Sequence, residues 1–185
     1  TTASSNILNG YVPIFDSEVY RRLVEAGAIL IGKTTLDELA MGGSGTTGHL
    51  GATYNPWDDS HKYQIGGSSC GSAASVAAGI VPFSIGSDTG DSVRKPASHA
   101  ALVGLKPTWG RISRFGLFPF APSLDHVGII SKNVFDSAIV LSAFASCSAS
   151  SVMMGSTPRR FSACTTEKIL PALYFTIATS MRFLP

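Results

Sequence analysis

The chain has 185 residues, 44% of them hydrophobic and 14% charged, enough apolar material for a sizeable core, which excludes a disordered, collagenous or charged-tail protein. Its 14 basic and 12 acidic residues leave a formal net charge of +2, without the basic excess of a dedicated nucleic-acid binder, so any RNA contact is local or made through a partner. The longest apolar runs, such as 26–32, fall short of the roughly 20 residues that span a bilayer. Cys70, Cys147 and Cys164 form no CxxC pair, which argues against a disulfide framework or zinc knuckle and for a reducing compartment.

Residues 1–5 lack the basic-then-apolar pattern of a signal peptide, and the chain reads as an internal piece of a longer protein. Asp16 or Ser17 caps an amphipathic helix over 18–26 that turns Val19, Tyr20, Leu23 and Val24 inward and stops at Gly27. Residues 28–31 form a short buried strand that exits at Gly32 and Lys33, and Thr34 or Thr35 caps a short helix through Ala40. This alternation is the signature of α/β architecture. The aperiodic stretch 41–63 is a long loop of the kind that often carries function. A small-residue helix over 71–78 ends at Gly79, a strand over 83–85 follows Pro82, a turn occupies 86–92, and a strand over 102–105 precedes Pro107. Asn133 caps a helix through about residue 145, with Val134, Ala138, Ile139, Leu141 and Phe144 inward. Beyond Cys147 the pattern weakens: four basic residues face one acidic, and 172–178 fits a strand or a helix. Glycine marks the same division, since sixteen of 19 lie between Gly32 and Gly128 and only Gly155 follows. A glycine-dense middle is where a site made of main-chain groups is built.

Two glycine-serine clusters carry the chemistry. The first, Gly66-Gly67-Ser68-Ser69-Cys70-Gly71-Ser72, leads into the small-residue helix and could cradle an anion, but lacks the Gly-Lys-Ser/Thr of a P-loop. The second, Gly86-Ser87-Asp88-Thr89-Gly90-Asp91-Ser92-Val93-Arg94, can aim consecutive backbone N–H groups at one point beside a serine. Acyl transfer needs that combination: a hydroxyl nucleophile next to donors for an oxyanion. The histidines are His49, His61, His99 and His126, and no serine sits in the Gly-x-Ser-x-Gly elbow that announces a histidine triad. A lysine base relayed through a second serine is the remaining option.

Gly66-Gly67-Ser68-Ser69-x-Gly71-Ser72-Ala73-Ala74 followed by Gly86-Ser87-Asp88-Thr89-Gly90-x-Ser92-Val93-Arg94-x-Pro96-Ala97 resembles the amidase signature. The flanks at 32–42, 55–58, 104–116 and 123–128 are similar to those of A subunits of glutamyl-tRNA(Gln) amidotransferases. The resemblance divides the chain into a partial amidase domain, 1–146, and a tail, 147–185, that lacks it. It implies an α/β amidase-signature fold, a mixed sheet covered by helices, incomplete in this chain.

The resemblance also implies a Ser-cisSer-Lys triad with Ser92 as nucleophile and Ser68 as relay, the peptide bond before Ser68 being cis. Backbone N–H groups of Thr89, Gly90, Asp91 and Ser92 would hold the oxyanion, and Ser69 and Arg94 would contact substrate. The triad lysine would lie about ten residues before Thr1, because residues 1–5 resemble the segment that follows it. Lys33 matches a different position and is read as locally paired. Asp91 stands where the family has glycine, and its carboxylate would oppose a nearby oxyanion unless it points away or is paired, for which Arg94 is a candidate. Cys70, also in a glycine's place, packs as a small hydrophobe, and Ser69 and Ser72 cap the helix start. Trp109, Phe115, Phe118 and Phe120 are read as packing rather than a base-stacking platform.

By resemblance, then, the activity is that of a glutaminase subunit supplying ammonia for Gln-tRNA(Gln) formation, in the cytoplasm or an organellar matrix. The chain would hold no cofactor or metal and touch no membrane. ATP and Mg²⁺ would serve the partner B subunit, which makes the main tRNA contact, and a C subunit would complete the assembly. The fragment alone would be inactive. The alternatives are a stand-alone amidase of the same family and a catalytically silent truncated product.

Overall fold

The computed structural model describes residues 1–145 and, as backbone, 174–178. Cys147, Cys164 and the tail's charged residues lie outside the described residues. Helix α1 is Glu18–Glu25, capped by Ser17, whose hydroxyl accepts from Tyr20 N–H. Val19 and Leu23 are buried, but Val24 is exposed: the face turned inward is narrower than the expected one. Strand β1 is Ile29–Thr34, longer than expected, because the chain passes Gly32 through a bulge and keeps pairing to Thr34. It is half-exposed rather than buried. The helix expected after it is only a 3₁₀ turn, Glu38–Ala40, and neither Thr34 nor Thr35 caps it.

Helix α2 is Cys70–Ala77 and strand β2 is Phe83–Asp88, so residues 86–88, expected in a turn, continue the strand. Helix α3, Arg94–His99, was not expected; its Pro96 sits in the first turn, where a missing N–H costs little. Strands β3, Val103–Leu105, and β4, His126–Ser131, precede helix α4, Val134–Ala145. Asn133 Oδ1 accepts from Asp136 N–H at the start of α4, as a cap should. Val140 and Phe144 are its buried apolar residues, whereas Val134 and Ala138, expected inward, are exposed. Strand β5 is Tyr174–Ala178, which resolves the ambiguity of that stretch.

The five strands run in the order β1-β5-β2-β4-β3. Strands β1, β5 and β2 are mutually parallel, and β4 is antiparallel to both β2 and β3, so the sheet is mixed. Successive side chains of β4 feed opposite faces: Val127 and Ile129 join Val19, Leu23, Phe83, Ile85 and Phe144, while Ile130 joins Cys70, Ala73, Val76, Val93 and Ala97. Helices α1 and α4 therefore cover one face and α2 and α3 the other, which is the doubly covered arrangement expected for strands carrying such apolar runs. On the α2/α3 face, Gly86 and Gly128 pair directly across β2 and β4. A Cβ on Gly86 would meet Ser69 Oγ at 2.5 Å, and one on Gly128 would meet Val93 Cγ2 at 2.9 Å. This two-glycine floor lets the starts of α2 and α3 settle onto the sheet. No helix among the described residues is long and apolar enough to cross a membrane.

Candidate active site

The site forms where the exits of β1 and β2 meet the starts of α2 and α3. The exit of β1 brings in Asp37, fully buried, whose carboxylate accepts from Gly45 N–H at 3.0 Å, Thr47 N–H at 3.1 Å and Thr47 Oγ1 at 2.9 Å. Its backbone N–H donates to the carbonyl of Ser68 at 3.0 Å. Asp37 thus ties the loop 41–47 and the segment before α2 to one point. Gly66 has φ +80°, which favours glycine, and the Gly67–Ser68 peptide bond is cis.

Ser68 is fully buried, and its Oγ has no hydrogen-bond partner among the described residues, the one such buried side-chain atom there. Buried hydroxyls are nearly always satisfied, so an orphan marks a position kept for something other than packing. Ser69, also fully buried, donates through Oγ to the carbonyl of Ser87 and accepts from Ser87 N–H, both at 3.2 Å. Its backbone N–H donates to the carbonyl of Ser92 at 3.1 Å. These bonds stitch the two glycine-serine clusters together. Ser69 stands at the N-cap position of α2 as expected but makes no side-chain cap bond, and Ser72 lies inside the helix with its Oγ donating to the carbonyl of Ile85 at 2.9 Å, so both hydroxyls serve β2.

Ser92 lies at the end of the loop after β2 and is 8% exposed. The turn around it is held by Asp88, fully buried at the end of β2. Asp88 Oδ2 accepts from Val93 N–H at 3.0 Å and from Arg94 N–H at 3.3 Å, and the Arg94 guanidinium adds bonds to both oxygens, at 3.2 and 3.1 Å. Arg94 also donates to the carbonyl of Gly90. The Asp88 carboxylate raises the Arg94 pKa. The ion pair and carboxylate hydrogen bonds of Arg94 go to Asp88, while Asp91, the expected partner, is exposed and adds only a longer-range attraction. The other end of the loop is fixed by Thr89, whose hydroxyl donates to Asp125 Oδ1 at 2.5 Å.

The remaining expectations divide. Cys70 is 1% exposed in the α2 core, and burial pushes its thiol pKa up, as a packing residue requires. Lys33 Nζ lies 3.5 Å from Thr1 Oγ1, and burial lowers its pKa. Trp109, Phe115 and Phe120 are exposed rather than in the core, and two of them pack within the loops, the Arg114 guanidinium stacking 4.3 Å over Trp109 and Phe115 lying 5.0 Å from Phe15. The three carboxylates that organise the site, Asp37, Asp88 and Asp125, were missed as structural elements. All three stand inside quoted motifs, and for Asp88 its place between Ser87 and Thr89 is the available signal.

The family model described as Amidase matches residues 1–168. The A subunit of glutamyl-tRNA(Gln) amidotransferase from Staphylococcus aureus is 57% identical over 143 residues, covering 77% of this chain and 29% of that protein. Among solved structures, the Thermotoga maritima subunit of the same name superposes with TM-score 0.75 at 49% identity, covering 78% of this chain and 31% of that one. The Kluyveromyces lactis allophanate hydrolase superposes with TM-score 0.73 at 44% identity, over 78% of this chain and 23% of that one. The chain thus spans less than a third of the length of these relatives. With its glycine-floored sheet, its serines brought together at the strand exits and a match over most of its length, the chain belongs to the amidase family.

Proposed function

We propose that this chain is the nucleophile-bearing part of the glutaminase subunit of a glutamyl-tRNA(Gln) amidotransferase. The observation that carries the reading is the orphan Ser68 hydroxyl, fully buried in a segment whose next residue, Ser69, is hydrogen-bonded to Ser92. A hydroxyl in that place, without a structural partner, suits a proton relay. Ser92 Oγ attacks the side-chain amide carbon of glutamine, and its proton passes through Ser68 to a lysine carried by a segment preceding Thr1. The backbone N–H groups of Thr89, Gly90, Asp91 and Ser92 stabilise the tetrahedral oxyanion. The intermediate expels ammonia, which takes up the proton, and leaves a glutamyl ester on Ser92 that water hydrolyses to glutamate. Ser69 orders the site through Ser87 and Ser92, and Arg94 does so through Asp88 and Gly90.

The ammonia passes to a B subunit, which uses ATP and Mg²⁺ and makes the main tRNA contact, with a C subunit completing the complex in the cytoplasm or an organellar matrix. The chain itself needs no cofactor. The higher identity to the amidotransferase subunits, 57% and 49%, than to the amidase and hydrolase structures, 41% and 44%, supports this over a stand-alone amidase.

Ammonia release from glutamine by the full-length protein, assembled with its B and C partners, tests the reading. Ser92→Ala is expected to abolish it while leaving the melting curve unchanged, and the 185-residue chain alone to release none. Activity surviving Ser92→Ala overturns the nucleophile assignment. Release independent of the B and C partners, with equal turnover of small amides, favours the stand-alone amidase.

A further inference from the structure

The loop Thr89 to Ser92 is not held by packing. Gly90 and Asp91 are exposed, and a Cβ on Gly90 would meet nothing within 4 Å. Hydrogen bonds set its shape: Asp88 on the Val93 and Arg94 side, Arg94 and the Lys95 N–H on the carbonyls of Gly90 and Asp91, and Asp125 on the Thr89 side. Resting on the reading of this loop as the oxyanion-binding turn, we propose that Asp125 is a positioning residue for the acyl-transfer step, acting through the Thr89 hydroxyl.

The geometry singles it out. Asp88 and His126 are the last paired residues of β2 and β4, so Thr89 and Asp125 are the first residues beyond the ladder on each strand and are delivered side by side by the sheet. Asp125 is 3% exposed. Its Oδ2 accepts from Phe120 N–H at 3.1 Å and its Oδ1 from Ala121 N–H at 3.0 Å, while its own N–H donates to the carbonyl of Ala121 at 2.9 Å. The carboxylate is therefore immobilised by its own loop before it reaches across to Thr89 at 2.5 Å. A charged acceptor fixed by two backbone donors makes the remaining bond short and directional. It thereby fixes the Thr89 peptide and the aim of the N–H groups that follow. Preorganised donors of this kind lose value when misplaced by fractions of an ångström.

The test uses the full-length protein in its active assembly and reads ammonia release from glutamine per Ser92 site titrated with a fluorophosphonate. Thr89→Val removes only the hydroxyl and is expected to lower kcat by roughly 10- to 100-fold with KM within about threefold, and Thr89→Ser to recover most of the loss. Asp125→Asn, which weakens the charged acceptor, is expected to fall in the same direction, and the Thr89→Val/Asp125→Asn pair to be no worse than the poorer single variant by more than about twofold, since both act through the one Thr89–Asp125 contact. Multiplying losses in the pair, or a kcat for Thr89→Val within about twofold of the parent, overturns the proposal. If Asp125→Asn does not fold, the comparison of Thr89→Val with Thr89→Ser decides: equal losses overturn it, recovery by serine supports it. Activity that survives Ser92→Ala instead removes the oxyanion-loop reading itself. That result is distinct from an enzyme that needs Ser92 and ignores Thr89.

Discussion

The carboxylate of Asp37 fills the space into which a side chain at Gly67 would grow: an added Cβ would fall inside van der Waals contact with Oδ2 and Cγ and only 3.1 Å from the Gly45 nitrogen. The exit of β1 and the residue before Ser68 therefore fit only with glycine at one place and a compact acid at the other. Gly67→Ala is expected to destabilise the fold by about 1–3 kcal/mol through overpacking. Asp37→Ala strands the donors of Gly45 and Thr47 and is expected to cost a similar amount. Because the first change clashes with the group the second removes, the double variant is expected to lose less than the sum. Urea melts of the four proteins check this, and strict additivity would sink the steric explanation.

Much of the fold could be read from residues whose neighbours in sequence decide their fate. Val19 and Leu23 announce α1 by their spacing, and Ser17 caps it. The glycine-serine clusters mark the site because no ordinary turn needs so many main-chain groups in one place. What escaped reading depends on contacts far along the chain. Helix α3 carries no expectation from sequence, because it is only six residues long with no apolar periodicity, although its proline, in the first turn, is tolerated. Asp37 looked like a residue of a short helix, yet its carboxylate serves donors eight and ten positions later. Arg94 has acidic neighbours at both Asp88 and Asp91, and only the strand's direction decides that the buried one takes it.

Asp88 is the next lever. It is fully buried, while the Arg94 side chain is 46% exposed, so the two ends of the pair are unequal. Asp88→Ala removes the acceptor for two backbone N–H groups and a guanidinium and is expected to cost roughly 3 kcal/mol. Arg94→Ala leaves the carboxylate with two backbone donors and is expected to cost about half that. A larger loss for Arg94→Ala in chemical denaturation would show that the guanidinium, not the buried acid, anchors the turn.

Cys70 has its thiol pKa raised by burial, so at pH 8 it holds less thiolate than an exposed cysteine. Peptide mapping after iodoacetamide treatment of the native protein is expected to find Cys70 unmodified, with full alkylation in 6 M guanidinium. Rapid native alkylation would mean that α2 opens readily.

Acid stability has an identifiable contributor in Glu18. Hydrogen bonds from Arg21 and then Arg22 hold its carboxyl at about 2, below its ordinary range, and Arg22 also donates to the carbonyl of Phe144 at the far end of α4. A depressed carboxyl contributes above its unfolded pKa of roughly 4.3 and loses that contribution as pH falls toward the folded value. Glu18→Gln is expected to flatten the fall in stability between about pH 4.5 and 2, by at most about 1 kcal/mol for a partly exposed pair. Melts at three pH values measure it, and an unchanged acid slope would assign the loss to other carboxylates.

Strands β1 and β2 never touch; β5 lies between them and pairs with both. Its residues, 174–178, follow the stretch matched by the family, which ends at 168. Synthesis runs from the N-terminal side, so β1 is made some 140 residues before its ladder partner, roughly ten seconds or more at ordinary rates. From the time each is made until β5 emerges, β1 and one side of β2 present bare backbone edges, and a nascent chain in that condition is a customer for a chaperone.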